Sequence, residues 1–171
     1  MNEIIHRIVN FQKHVSDSEA GDKEEISDYI MISCIDKRII PNDFTKVPIG
    51  HLYVVRNAGN FVPTYEHHNE KEISSEGGAI ELAVCHSLIK DIIISGHSDC
   101  KINCLQQTEN VATFQFLRED LLNHKLKLHT VWKEISSSED DPTLYLFDVH
   151  DEKFLKITDE SSDHLIHDLD D

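Results

Sequence analysis

The sequence predicts an α/β fold: a central, mostly parallel β-sheet of four strands plus a C-terminal antiparallel strand, flanked by helices. Two observations carry that prediction. Segments 28–34 (DYIMISC), 52–57 (LYVVRN) and 91–95 (DIIIS) are short and β-rich, and the last is apolar on consecutive positions, as a strand covered on both faces is. The chain between these strands is long enough for crossover connections, which parallel neighbours require.

In order along the chain, Ile4, Ile5, Ile8, Val9 and Phe11 fall mostly on one face of an amphipathic N-terminal helix. A polar stretch follows, with Gly21 as its stop signal. After the first strand, residues 35–50 hold Pro41, Pro48 and Gly50 and read as a loop with room for one helical turn. Ala58-Gly59-Asn60 ends the second strand, and the polar, His-containing stretch 61–73 reads as loop. Ser74 or Ser75 can cap a helix that runs to about Leu88, with Ile80, Leu82, Ala83, Val84 and Leu88 as its apolar positions. Residues 105–123 show helical spacing at Leu105, Val111, Phe114, Leu117, Leu121 and Leu122. Residues 125–132 (KLKLHTVW) and 143–147 (TLYLF) read as the fourth and fifth strands, joined as an antiparallel hairpin. The expected organisation is one domain over 1–158 and an acidic tail over 159–171.

Composition narrows the function. Acids outnumber bases 32 to 16, a net charge of −16, so phosphate backbones and anionic membranes are repelled and no nucleic acid or membrane partner is expected. No apolar run approaches the roughly 18 to 20 residues of a membrane span. The four cysteines are Cys34, Cys85, Cys100 and Cys104. The N-terminus has no continuous apolar signal core, so an intracellular chain with reduced thiols is expected, cytoplasmic or mitochondrial.

The chemistry sits just after the first and third strands, in Cys34-Ile35-Asp36-Lys37-Arg38 and in Gly96-His97-Ser98-Asp99-Cys100. In a parallel sheet, ligands bind beyond the carboxyl ends of the strands. Two such loops, close together, can bring Cys34, His97 and Cys100 onto one metal. Two thiolates and an imidazole suit tetrahedral Zn²⁺ with a free fourth position, and the soft sulfur ligands favour zinc over magnesium or calcium. Each half alone is weak, since a lone cysteine at a strand end more often only packs.

With Val54-Val55-Arg56-Asn57-Ala58-Gly59-Asn60 between them, these two motifs resemble the β-class carbonic anhydrases in order and spacing, and the C-terminal part resembles the animal branch of that class. The resemblance covers about residues 1–157. It implies a zinc lyase that interconverts CO₂ and bicarbonate through a zinc-bound hydroxide, with Cys34, His97 and Cys100 as zinc ligands, Asp36 and Arg38 as the catalytic dyad, and a homodimer. It also implies two alternative settings of Asp36: paired with Arg38, or closed onto the metal. Tyr53, Ala58 and Leu82 match positions of a small apolar CO₂ pocket. Cys85 is expected in the core. Cys104 reads as a helix residue or an alternative ligand, and His67, His68 and His86 as solvated side chains or proton carriers.

The chain departs from the family's pattern in two respects: Lys101 follows the second cysteine where many members carry Gly, and, the larger departure, the chain is short. Only 25 residues separate Cys100 from Leu126, where family members usually carry several tens more, so the chain looks shortened after the second motif. The alternative reading is therefore a zinc-binding but catalytically inactive relative. A more remote one is a redox thiol pair, Cys100 with Cys104.

Overall fold

The computed structural model describes residues 29–45, 47, 52–65, 74–87, 89–100, 102–135 and 143–158. The N-terminal helix, His67 and His68, and the acidic tail named above lie outside the described residues.

The strands are β1 (Tyr29–Cys34), β2 (Leu52–Asn57), β3 (Asp91–His97), β4 (Lys127–Glu134), β5 (Thr143–Asp148) and β6 (Lys153–Lys156), in the sheet order β2-β1-β3-β4-β5-β6. The first four run parallel, and β5 and β6 are antiparallel additions, so the expected α/β fold is the observed one. The sheet has one strand more than expected. β6 is four residues long, with only Phe154 and Leu155 apolar, too short for any periodicity to register. Asp148 shapes the turn that leads into it. Its carboxylate accepts from the backbone N–H of His150 and Asp151, at 2.8 and 3.2 Å.

The helices are α1 (Pro41–Thr45), α2 (Ser75–Ser87), α3 (Cys104–Ala112) and α4 (Arg118–Leu122). Among them and elsewhere in the described residues, no helix is long and apolar enough to cross a membrane. Ser74 is the cap of α2, its Oγ accepting from Gly77 N at 3.0 Å. Asn103 caps α3 through Leu105 N, also at 3.0 Å. The single helix expected over 105–123 is instead α3, a 3₁₀ turn at Gln115–Leu117, and α4. The break lies at Thr113, whose hydroxyl bonds back to Asn110 O at 2.6 Å, and at Phe114, which turns extended. That turn drives Phe114 to full burial, edge-on to Tyr65 and Phe116.

One sheet face packs against α2, α3 and the 3₁₀ turn. Ile30 and Ile32 of β1 and Ile92 and Ile94 of β3 meet Ile80, Ala83, Val84, Val111 and Leu117 there, all buried. Burial of each such aliphatic side chain stabilises by about 1.5–3 kcal/mol, which fixes the strands whose ends carry the site. Cys85 is not part of this core and is exposed. The buried face of α2 is set by Gly77, Ile80, Ala83 and Val84, and Cys85 lies about 100° of helical turn beyond Val84.

Gly96 is where β3 passes closest to its neighbours. A Cβ there would lie 2.8 Å from Cys104 Cβ and 2.9 Å from Trp132 Cε3. Gly96→Ala is therefore expected to destabilise the fold by about 1–3 kcal/mol through overpacking, read as a lower urea midpoint. An unchanged midpoint would show that α3 yields without cost.

Candidate metal centre

Cys34 ends β1 and His97 ends β3, adjacent parallel strands paired as far as Ser33 with Ser95. Cys100 follows within one turn, its N–H bonded to His97 O at 3.3 Å. The turn needs Asp99 at φ 70, an uncommon conformation for a residue other than glycine. Ser98 anchors it to β4: its N–H donates to Lys133 O at 3.0 Å, and its hydroxyl accepts from Ile135 N at 2.7 Å.

One potential ligand atom from each of Cys34, His97 and Cys100 lies within 4.8 Å of the other two. Cys34 and His97 are buried, Cys100 half-buried, and all four cysteines are free. His97 Nδ1 sits 2.5 Å from Ser98 O. A carbonyl only accepts, so Nδ1 carries the proton and Nε2 presents its lone pair. Nε2 is buried and has no hydrogen-bond partner among the described residues. A buried acceptor left in that state is costly, and a metal ion held with two sulfurs removes the cost. The residues fit a soft, four-coordinate ion such as zinc. Cys34 Sγ also accepts from Asp36 N at 3.4 Å.

Asp36 and Arg38 form a forked pair beside this cluster. Arg38 donates from Nε to Asp36 Oδ1 at 3.0 Å, from Nη2 to Oδ2 at 2.6 Å, and from its backbone N–H to Oδ1 at 2.9 Å. The Arg38 side-chain hydrogen bonds, then the backbone one, hold the Asp36 carboxyl well below the usual carboxylate range, and Asp36 in turn raises Arg38 above its ordinary value. Of the two settings allowed for Asp36, the structure shows the pair with Arg38.

Several contacts were not legible in the sequence. Arg38 Nη1 also donates to Asp99 at 3.0 Å, so one guanidinium ties together the loops after β1 and β3. Arg56, at the end of β2, donates to the carbonyls of Cys34 at 3.2 Å and Asp36 at 2.8 Å. Only the β1–β2 register, which pairs Ser33 with Arg56, makes that grip predictable. Asn57 bonds Phe61 through both main-chain groups at 2.7 Å and Glu76 at 2.8 Å, so the segment after β2 is a fixed wall. Gly59, at φ 78, lets Ile102 close against that wall, since a Cβ there would stand 2.3 Å from Ile102 Cδ1.

Other candidates fall elsewhere. Cys104 is buried beneath Gly96, outside the ligand group, and burial pushes its thiol pKa up. His86 is exposed on α2. Ala58 follows Asn57, which pairs with Cys34, whereas Tyr53 lies farther back along β2. Tyr53 pairs with Ile30, four residues before Cys34, roughly 13 Å along the strands, and bonds Ser87 at 2.8 Å; Leu82 is exposed.

Comparison with known proteins places these features. The family model described as "Carbonic anhydrase" matches residues 29–104, which contain all five residues of the cluster and its dyad. "Beta carbonic anhydrase 1" of Caenorhabditis briggsae is 35% identical over 122 residues, 66% of this chain and 45% of that protein. Its Caenorhabditis elegans counterpart is 24% identical, covering 99% of this chain and 93% of that protein. That alignment spans 254 positions against a chain of 171, so the relative carries segments that this chain has not. The chain thus spans less than half of the first relative. Among solved structures, the β-carbonic anhydrase CcaA superposes with a TM-score of 0.67 at 21% identity, covering 91% of this chain and 86% of that one. A Coccomyxa β-carbonic anhydrase superposes at 0.57 with 15% identity, covering 98% of this chain and 99% of that one. At these identities the superpositions establish the fold alone.

Proposed function

We propose that the chain is a β-class carbonic anhydrase and that it catalyses the reversible, zinc-dependent hydration of CO₂ to bicarbonate and a proton. The observation that carries this reading is the approach of Cys34, His97 and Cys100 to within 4.8 Å beside the Asp36–Arg38 pair. Cys34, His97 and Cys100 would hold the zinc, which supplies the Lewis acidity that makes water a nucleophile near neutral pH. Two thiolates offset most of that ion's charge, so the effect is weaker than in a three-histidine site.

The chain's own groups supply orientation. Asp36, held ionised by Arg38, accepts a hydrogen bond from the reacting water and points its lone pair toward CO₂. Arg38 fixes that carboxylate and, through Asp99, fixes it relative to the loop that carries His97 and Cys100. The Ser98 carbonyl holds the His97 ring in one tautomer. A homodimer accompanies this reading. It is supported by β2, an edge strand of the described sheet with Tyr53 and Val54 exposed, the kind of edge a second copy covers.

Stopped-flow CO₂ hydration with the zinc-loaded chain tests the proposal. A rate well above buffer is expected, lost on chelation and restored by zinc. A rate equal to buffer with one zinc bound per chain would overturn it, and would leave a metal-binding protein without the activity.

A further inference from the structure

The antiparallel end of the sheet carries a second feature, a cavity of about 420 Å³ lined among the described residues by Trp132, Glu134, Tyr145 and Phe154. The register explains how they meet. Trp132 of β4 pairs with Tyr145 of β5, and residues paired across a ladder share a sheet face. Glu134 follows Trp132 by two and so lies on that face. Phe147 follows Tyr145 by two and pairs with Phe154 of β6. Trp132 and Phe154 lean together across β5, with ring centroids 6.3 Å apart and planes inclined at 54°. Both are braced: Phe154 stands edge-on to Phe147 at 5.2 Å, and the indole of Trp132 packs on Gly96. The Tyr145 hydroxyl donates to Glu134 at 3.1 Å and orients the carboxylate.

We propose that this cavity binds a quaternary ammonium cation. Three aromatic rings and one carboxylate make a negative, largely apolar lining, and aromatic faces attract cations through their quadrupoles. Glu134 and the net charge of −16 disfavour an anion. A neutral apolar ligand would desolvate Glu134 without compensation. A primary ammonium brings three N–H donors and a guanidinium five, against side-chain acceptors that number, among the described lining residues, one carboxylate and one phenol oxygen. The backbone of β4 and β5 is already spent on the ladder. A quaternary ammonium brings no N–H and leaves no donor unsatisfied. Lys156, which pairs in register with Tyr145, has an interaction of its own and does not line the cavity.

Trp132 is the chain's single tryptophan, so its fluorescence reads the cavity directly. The full chain is titrated with choline and, separately, with 3,3-dimethylbutan-1-ol, the uncharged counterpart with carbon in place of nitrogen, at matched ionic strength. Choline is expected to give a saturable change with half-saturation in roughly the millimolar range, and the alcohol to bind about tenfold more weakly or not at all. Glu134→Gln and Phe154→Leu are each expected to weaken choline several-fold, with the circular dichroism of the fold unchanged. Sedimentation with phosphatidylcholine vesicles distinguishes a lipid headgroup from a soluble cation as the source of the same chemistry. No saturable change with choline, or equal half-saturation for the alcohol, would overturn the proposal. The test reads neither zinc nor CO₂, so it stands or falls apart from the lyase reading.

Discussion

Replacing His97 with alanine will lower zinc affinity by roughly two to three orders of magnitude, measured by competition with a chromophoric chelator. The size follows from the energy of structural zinc sites: about 10–16 kcal/mol over four ligands is ~3 kcal/mol per ligand, at 1.4 kcal/mol per decade. Of the three proposed ligands, His97 has the clearest preparation. Its Nδ1 is engaged by Ser98 O at 2.5 Å, so its buried, unpartnered Nε2 has no other role on the described residues. Cys104→Ala is the control. That thiol is buried next to the site, but it lies outside the ligand group and its raised pKa disfavours the thiolate. Its loss should leave zinc affinity where it was. An unchanged affinity in the His97 variant, or an equal fall in the Cys104 variant, would mean the metal sits on a different set of atoms.

How far the sequence carries such an argument depends on the range of the interaction. β1 and β3 are legible because strands covered on both faces write unbroken apolar runs, and the parallel-sheet rule then places Cys34 and His97 at one edge. Their convergence needed no knowledge of register. The break at Phe114 was not legible, because Val111, Phe114 and Leu117 fit helical spacing whether or not the helix is continuous, and all three are buried. Cys85 looked apolar from its neighbours, yet α2 had already used its inward face on Ile80, Ala83 and Val84. The tie between Arg38 and Asp99 spans 61 residues of chain, and no local pattern encodes a contact between two loops. The convergence of Cys34, His97 and Cys100 was therefore legible from sequence, and the tie of Arg38 to Asp99 across their two loops was not.

Asp36→Asn should lower kcat for CO₂ hydration by about 10²- to 10⁴-fold with zinc still bound at one per chain. Asp36 accepts from three Arg38 donors, at 2.6, 2.9 and 3.0 Å, and both of its oxygens are engaged. The Asp36 side chain is still 22% exposed, which leaves its carboxylate within reach of the water in the proposed reaction. An asparagine of the same shape turns an NH₂ toward the guanidinium or toward that water. Either way one acceptor is lost. Arg38→Lys is expected to fall between this variant and the parent chain. A lysine keeps the charge, but its compact ammonium cannot span Asp36 and Asp99 at once as the planar fork does. Asp36 would keep its ionised form and lose its fixed direction, so kcat should drop about tenfold or more while zinc affinity holds. The order parent, Arg38→Lys, Asp36→Asn separates orientation from metal binding. Turnover unchanged in Asp36→Asn would remove the aspartate from the reaction and leave the pair as a loop fastening.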